Sequence, residues 1–481
     1  MGRQQFTSRN NIGQVLTFQK SGATSSFDPS ISFSSGSRRV SWRLDNSSGI
    51  TQTAGNSITY TGFTSDSGIR DIEMRGNSFS NLNQFTLDND NIYGNLDLTP
   101  LSGLGGTFQV NGNSGLTGIT HSPSSQIFTS YNANSCNLTG NLDLTPLSGL
   151  GGSFLVLSNP NLTSITHSPS SQIFSAYWSF DCNLTGNLDL TPLSGLAGSF
   201  FVQGNSGLTG ITHSPSSQIF SSYHASSCNL IGNLDLTPLS GLGGTFQVNG
   251  NSGLTGITHS PSSQIFSTYF AFNCNLTGNL DLTPLSGLGG IFQVNGNSGL
   301  TGITHSPSSQ NFTNYYVYNC NLTGTLDLTP LTKLGGSSSA VTSSLLSLYS
   351  NLNLTNLLLP NTTQFFKNNV NTELGGAFGL YSCSLDYVDF TPLSGATLLS
   401  GITKGNPRIS LRNNGITTTD VNHILVDFSG NATYNPVGWS NVNLNISGTN
   451  GAPDSSSGGY NGIAAINFLT GSPYNWTITH S

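Results

Sequence analysis

Three residue types recur in this 481-residue sequence at a spacing of 46, and each could do chemistry. Cys136, Cys182, Cys228, Cys274 and Cys320 form one ladder, and His121, His167, His213, His259 and His305 a second. Asp97, Asp143, Asp189, Asp235, Asp281 and Asp327 form the third. Thiols and imidazoles bind metals, and carboxylates bind calcium or work in pairs as acid and base. The spacing argues against each of these roles. If 46 residues make two steps of a parallel stack, like residues lie roughly 10 Å apart. A disulfide needs Cα atoms within roughly 7 Å, and a zinc ion needs its ligands in one tetrahedral shell. One carboxylate per step falls short of the roughly six to eight oxygens of a calcium cage. The cysteines are therefore expected to be free and to act as small buried fillers. Each aspartate is expected to stabilise a turn by accepting backbone amides before a Thr-Pro pair. No close carboxylate pair of the glycosidase kind stands out, and no GxSxG, HExxH or phosphate-loop pattern is present. The expectation is no catalytic residue, no metal, no cofactor and no enzyme activity.

A different signal comes from the positions at which otherwise near-identical copies diverge. Tyr131, Tyr177, Tyr223, Tyr269 and Tyr315 stay constant. The residue after each reads Asn132, Trp178, His224, Phe270 and Tyr316, and two further on it reads Asn134, Phe180, Ser226, Phe272 and Tyr318. In neighbouring stretches Leu155, Leu157 and Phe201 replace the Gln and Asn of other copies. Side chains alternate along an extended strand, so these varied residues should point away from the core that the tyrosines enter. The candidate partner-binding set is Leu155, Leu157, Trp178, Phe180, Phe201, His224, Phe270, Phe272, Tyr316 and Tyr318. An exposed patch of this kind needs a cover. Another subunit or the N-terminal module is one expectation, and a ligand or receptor is the other.

The elements that must position these residues follow from the repeat. Each 46-residue period divides into halves of 23 with a shared cadence, as in Phe108, Val110, Asn113, Leu116 and then Tyr131, Ala133, Cys136, Leu138. This cadence resembles the leucine-rich repeat family, whose unit places Asn or Cys after a short apolar strand. The resemblance runs over roughly residues 69 to 450 and implies a β-solenoid of leucine-rich-repeat type. Short parallel strands should alternate with short helical or 3₁₀ return turns, under a β-rich N-terminal cap. Phe108 and Val110 should face inward, and the recurring Asn113, Asn159, Asn205, Asn251 and Asn297 should satisfy backbone groups at the corner. Thr145-Pro146 and Ser122-Pro123 read as starts of short helical returns, TPLSGL and SPSSQIF. About 16 steps are expected, beginning near Ile72 and ending near Leu444. The division is an N-terminal cap or attachment module (1–68, with VSWRL and SITYTGF as strands) and a regular solenoid (69–332). Irregular repeats with insertions (333–450) and a C-terminal cap (451–481) follow. The C-terminal cadence is loosely similar to that of leucine-rich surface and virion proteins of Bacteroidetes and their phages.

Composition limits the partners. Lys plus Arg number 13 and Asp plus Glu 20, and charged residues are 7% of the chain where about 25% is usual. Ser, Thr, Asn and Gln make up about 40%. No Lys or Arg occurs between Arg75 and Lys333, which leaves no basic stripe for nucleic acid. The apolar runs are far short of the ~20 residues that span a bilayer, and no signal-peptide stretch opens the sequence. The expected role is a non-enzymatic protein of a virion surface, a phage spike or tail-fibre component contacting the host. Its partners would be a host surface glycan or protein receptor and other virion subunits, with homo-oligomers included. A bacterial cell-surface leucine-rich-repeat adhesin is the alternative, and a repeat-bearing glycan-acting enzyme the third.

Overall fold

The computed structural model describes residues 14–21, 27–34, 39–44, 50–53, 69–76, 79–123, 126–147, 149–169, 172–193, 195–215, 218–239, 241–261, 264–307, 310–335, 345–361, 365–367, 378–399 and 409–481. SITYTGF lies outside them. The chain divides into two compact units, Met1–Asn229 and Leu230–Ser481. Both are stretches of β-solenoid, the fold class that the repeat implies.

In the first unit a parallel sheet runs through Leu82–Thr86, Gly105–Gln109, Ile127–Asn132, Gly151–Leu155, Ile173–Trp178, Ala197–Phe201 and Ile219–His224. The repeat dictates the inside of this sheet. Phe108, Val110, Tyr131, Ala133, Phe154 and Val156 are wholly buried. After each strand the chain turns through one left-handed residue, then Asn or Cys. Gly112 (φ 74°), Ser135 (φ 52°), Ser158 (φ 56°) and Asp181 (φ 52°) all hold that corner. At Gly204 (φ 75°) a Cβ would meet Asp181 Oδ1 at 2.4 Å, so this corner needs glycine.

The buried asparagines do what the sequence requires of them. Asn159 Nδ2 donates to Val156 O (2.9 Å) and across one coil to Ala133 O (2.9 Å), while its Oδ1 accepts from Leu138 N (3.1 Å). Cysteine fills the alternate corners. The Cys182 thiol points at Val156 O at 3.2 Å, a weaker version of the same inter-coil tie. All six cysteines are free and buried.

Several expectations need correction. The segment around Ile72 is no parallel step. Ile69–Gly76 pairs antiparallel with Gln14–Ser21 and Arg39–Leu44 in the N-terminal sheet, so the parallel sheet starts at Leu82–Thr86. Ser30–Phe33 runs antiparallel along that first strand and closes its edge. The returns are β-rich, because every regular coil carries a second short strand. Gly115–Thr120 and Thr139–Asp143 are examples. TPLSGL makes consecutive turns, with Leu101 N bonded to Leu98 O (2.9 Å) and Leu104 N to Leu101 O (2.9 Å). SPSSQIF is not helical where described, since Ile127 and Phe128 already belong to a strand. Of the Thr-Pro returns described, only Thr391–Leu393 is a 3₁₀ turn.

The second unit continues the pattern with Gly243–Gln247, Ile265–Phe270, Gly289–Gln293 and Asn311–Tyr316. Beyond Lys333 the strands shorten to Leu345–Ser347, Phe378–Gly379 and Ile409–Ser410, followed by Asn443–Ile446. Two α-helices replace the β-type return here, which the cadence of the coil does not announce. Helix α1 is Thr418–Tyr434, with Thr417 capping Asp420 N (3.2 Å), and α2 is Gly462–Thr470, capped by Asn461. Phe428 of α1 packs on Trp439 and Trp476. The last step is also later than Leu444. Thr477–His480 adds a further parallel strand to Asn443–Ile446.

Candidate recognition face

All ten candidate residues point outward from the parallel sheets, and all ten are half-buried. In the first unit the register brings four of them into one row. Leu155 faces Trp178, Trp178 faces Phe201, and Phe201 faces His224 on successive strands. The rings stack along the row: Trp178 on Phe201 at 5.4 Å and 17°, Phe201 on His224 at 4.3 Å and 17°. Trp178 Nε1 also donates to Ser199 Oγ (2.8 Å). Phe180 leans on Trp178 at 6.4 Å, with Leu157 on the preceding coil in the outer row. Burial lowers the His224 pKa, which favours the neutral ring that stacks.

The second unit does not bring its four together. Gln293 sits between Phe270 and Tyr316, and the buried Asn295 occupies the same coil in the outer row between Phe272 and Tyr318. Phe270 and Phe272 meet edge to face at 5.9 Å. Tyr316 Oη accepts from Asn314 Nδ2 (2.9 Å). Tyr318 instead opens a column that the 46-residue spacing does not reveal. Tyr318 stacks on Tyr349 (4.5 Å, 11°), Tyr349 on Tyr381 (4.7 Å, 1°), and the Arg412 guanidinium lies 4.7 Å from the Tyr381 ring centre. A signal for it does exist, because Tyr318, Tyr349, Tyr381 and Arg412 each stand two residues before the corner Cys320, Asn351, Cys383 or Asn414. The insertion after Lys333 hides the register. Burial raises the Tyr318 and Tyr381 pKa values, while Arg412 pulls that of Tyr381 back.

This geometry changes what the aromatic rows offer. Rings stacked on one another along the solenoid spend their faces on each other and present their edges to solvent. A flat sugar ring finds few free faces here, whereas an apolar surface can lie across the edges.

The three ladders are structural. Each histidine is buried and bonded through Nε2 to the constant tyrosine, from 2.9 Å at His305–Tyr315 to 3.2 Å at His121–Tyr131. At His305 the other nitrogen meets Gln310 Oε1 at 2.9 Å, which makes Nδ1 the donor and Nε2 the acceptor of the tyrosine proton. Burial lowers His121, His167, His259 and His305 to about 4, so these rings are neutral near pH 7. The thiols are pushed up to about 11 by the same cause. Each aspartate accepts the amide two residues on, as Asp143 does from Thr145 N (2.9 Å) and Asp281 from Thr283 N (2.9 Å). Among the described residues no group of His, Cys, Asp or Glu is arranged to hold a metal.

Fold and face together define a β-solenoid repeat protein whose outward strand residues vary from copy to copy in each unit. Comparison with protein families, curated proteins and solved structures finds no match for the chain.

Proposed function

We propose that this is a non-enzymatic surface-recognition protein, a phage virion spike or tail-fibre component that contacts the host cell. We read its 23-residue coil as a leucine-rich-repeat variant. The observation that carries this reading is the distribution of differences. Copies that agree almost everywhere else diverge on the outward rows at Trp178, Phe180, His224, Phe270, Phe272, Tyr316 and Tyr318. Core positions gain nothing from such divergence, while a contact surface needs unlike side chains to be specific. The charge-poor polar exterior suits a protein that meets a surface without long-range steering. Stacked edges favour a protein receptor, or another virion subunit, as the partner of these rows.

The test uses the full chain. Trp178→Ala with Phe270→Ala should keep the melting temperature within a few degrees, because both side chains lie outside the core. Attachment to host cells should weaken at least ~10-fold, the equivalent of about 1.4 kcal/mol. Undiminished attachment sinks the assignment of the face. Antibody labelling of particles against labelling of cell envelopes separates a virion component from a bacterial adhesin.

A further inference from the structure

The second sheet face of the coil carries a feature that the proposed recognition role leaves unused. Its strands pair two by two instead of forming a continuous sheet, and the first pair is joined in addition to the N-terminal sheet through Gln14–Ser21. In the first unit Gly115–Thr120 pairs with Ile92–Asp97, and Thr139–Asp143 pairs with Asn161–Thr166. Between the pairs, Asn137 N reaches Leu116 O (3.1 Å) and Thr139 Oγ1 reaches Thr117 O (3.1 Å). Beyond those ties a cleft of about 480 Å³ lies between the strands. The second unit repeats this. Asn275 N bonds Leu254 O (3.1 Å), Thr277 Oγ1 bonds Thr255 O (3.3 Å), and a cleft of about 300 Å³ follows. Thr117, Thr139 and Asp143 in the first cleft answer to Thr255, Thr277 and Asp281 in the second.

We infer that these clefts bind a linear neutral polysaccharide. Hydroxyl and amide side chains line the rims. Asp143 and Asp281 each spend one oxygen on a threonine amide and keep the other for a ligand hydroxyl. The walls include buried apolar side chains, Ile119 in the first cleft and Ile257, Leu280 and Leu300 in the second. That mixture suits a sugar, which offers hydroxyls at its rim and C–H groups on its faces. Neither cleft has a Lys or Arg lining it, and each has one carboxylate, so a polyanion is disfavoured. The volumes are of the size that holds a small ligand or a short stretch of a larger one. Within each unit the lining residues recur every 46 positions, two coils or roughly 10 Å apart, so the ligand should itself repeat. Linked weak sites gain strongly from a polymeric partner.

Affinity electrophoresis of the full chain tests this, with galactomannan, xyloglucan or dextran in the gel and alginate as the anionic control. At least one neutral polymer should retard the protein, alginate should not, and added salt should leave the retardation unchanged. Thr117→Trp with Thr255→Trp fills both clefts and should weaken retardation at least ~10-fold. Asp143→Asn with Asp281→Asn, which preserves an acceptor for the turn amide, should weaken it as well and guards against misfolding of the tryptophan pair. No retardation by any neutral polymer, equal retardation by alginate, or retardation unchanged in both variant pairs overturns the inference. Trp178→Ala with Phe270→Ala should leave retardation intact. Retardation that survives in a protein never seen to attach to cells would leave the clefts standing and remove the host-contact reading.

Discussion

In each unit the two outward faces are built from the same coils and treat repetition in opposite ways. On the parallel-sheet face the copies diverge, and large side chains collect at Trp178, Phe201 and Tyr349. On the second face they are nearly constant, with small side chains bonded in pairs. Asn187 reaches over Gly210 to Thr212 (3.0 Å), and Asn233 over Gly256 to Thr258 (3.0 Å). A Cβ at 210 would meet Asn187 Oδ1 at 2.8 Å, and where the equivalent residue is Ser164 the Asn141 side chain instead accepts from its hydroxyl at 2.8 Å. A face free to vary is suited to specificity for one partner, as proposed above, whereas a constant face repeats one chemistry many times over. Both depend on a core that recurs nearly unchanged every second coil, so the comparison can be broken by attacking that core first.

Acid should do this with the largest effect. Burial holds His121, His167, His259 and His305 at about 4, while an unfolded histidine titrates near ~6.5. Between those values the unfolded chain binds more protons than the folded one. The stability from neutral histidine is therefore complete above about pH 6.5 and is lost as pH falls toward 4. Each such histidine changes stability by up to about 1.4 kcal/mol per pH unit, so four could remove about 5 kcal/mol per unit. Asp90, raised to about 7 by burial beside Lys20 and Asp28, works in the opposite sense, and burial raises Asp88 and Asp427 in the same direction as Asp90, so these carboxylates offset part of the histidine loss. Melting temperature followed from pH 7 to 4 should fall steeply and should take both faces with it. A flat profile would show that the His–Tyr pairs tolerate charge.

A smaller effect separates the two kinds of corner. Asn159→Ala removes four main-chain hydrogen bonds, one of them to the part-buried Leu157 O, and strands buried groups at Leu138, Ala133 and Val156. Unsatisfied buried groups cost about 1–3 kcal/mol each, so roughly 3 kcal/mol is expected after relaxation. Cys182→Ala loses only a thiol contact and some packing, at about 1 kcal/mol. Chemical denaturation of the two variants should rank them in that order. Equal losses would mean that the corner is filled and not bonded.

These residues also show what the sequence disclosed and where it stopped. Asn159, Phe154 and Val156 were legible because a buried polar residue at fixed distance from two apolar ones has little to bond except the backbone around it. The outward direction of Trp178 and Phe270 followed from strand alternation alone. The stacking of Tyr318, Tyr349 and Tyr381 was not legible in the same way, because insertions break the 46-residue count while the corner-based count survives. Helix α1 is hidden for a similar reason. Thr417-x-x-Asp420 followed by Val421, Ile424, Leu425 and Phe428 is a helical signal, but a search tuned to the coil's cadence passes over it. The clefts have no signature in one coil. They arise from which strands pair, a property of neighbours.

The finest distinction lies between the faces themselves, within the first unit. Phe201 is held on both sides, by Trp178 at 5.4 Å and His224 at 4.3 Å. Phe201→Ala loses two stacked contacts of about 0.5–1.5 kcal/mol each, so roughly 2 kcal/mol is expected. The Thr212 side chain on the second face bonds Asn187, in an exposed pair at 3.0 and 3.2 Å. Water replaces such a bond readily, and Thr212→Val keeps the branched shape that suits a strand. Its cost should stay below about 0.5 kcal/mol. Melting temperatures of the two variants decide the matter. If Thr212→Val costs as much as Phe201→Ala, the constancy of the second face is a matter of stability and needs no ligand. If it costs almost nothing, stability does not account for that constancy, and a ligand's demand on the same rim residues becomes the reason they repeat.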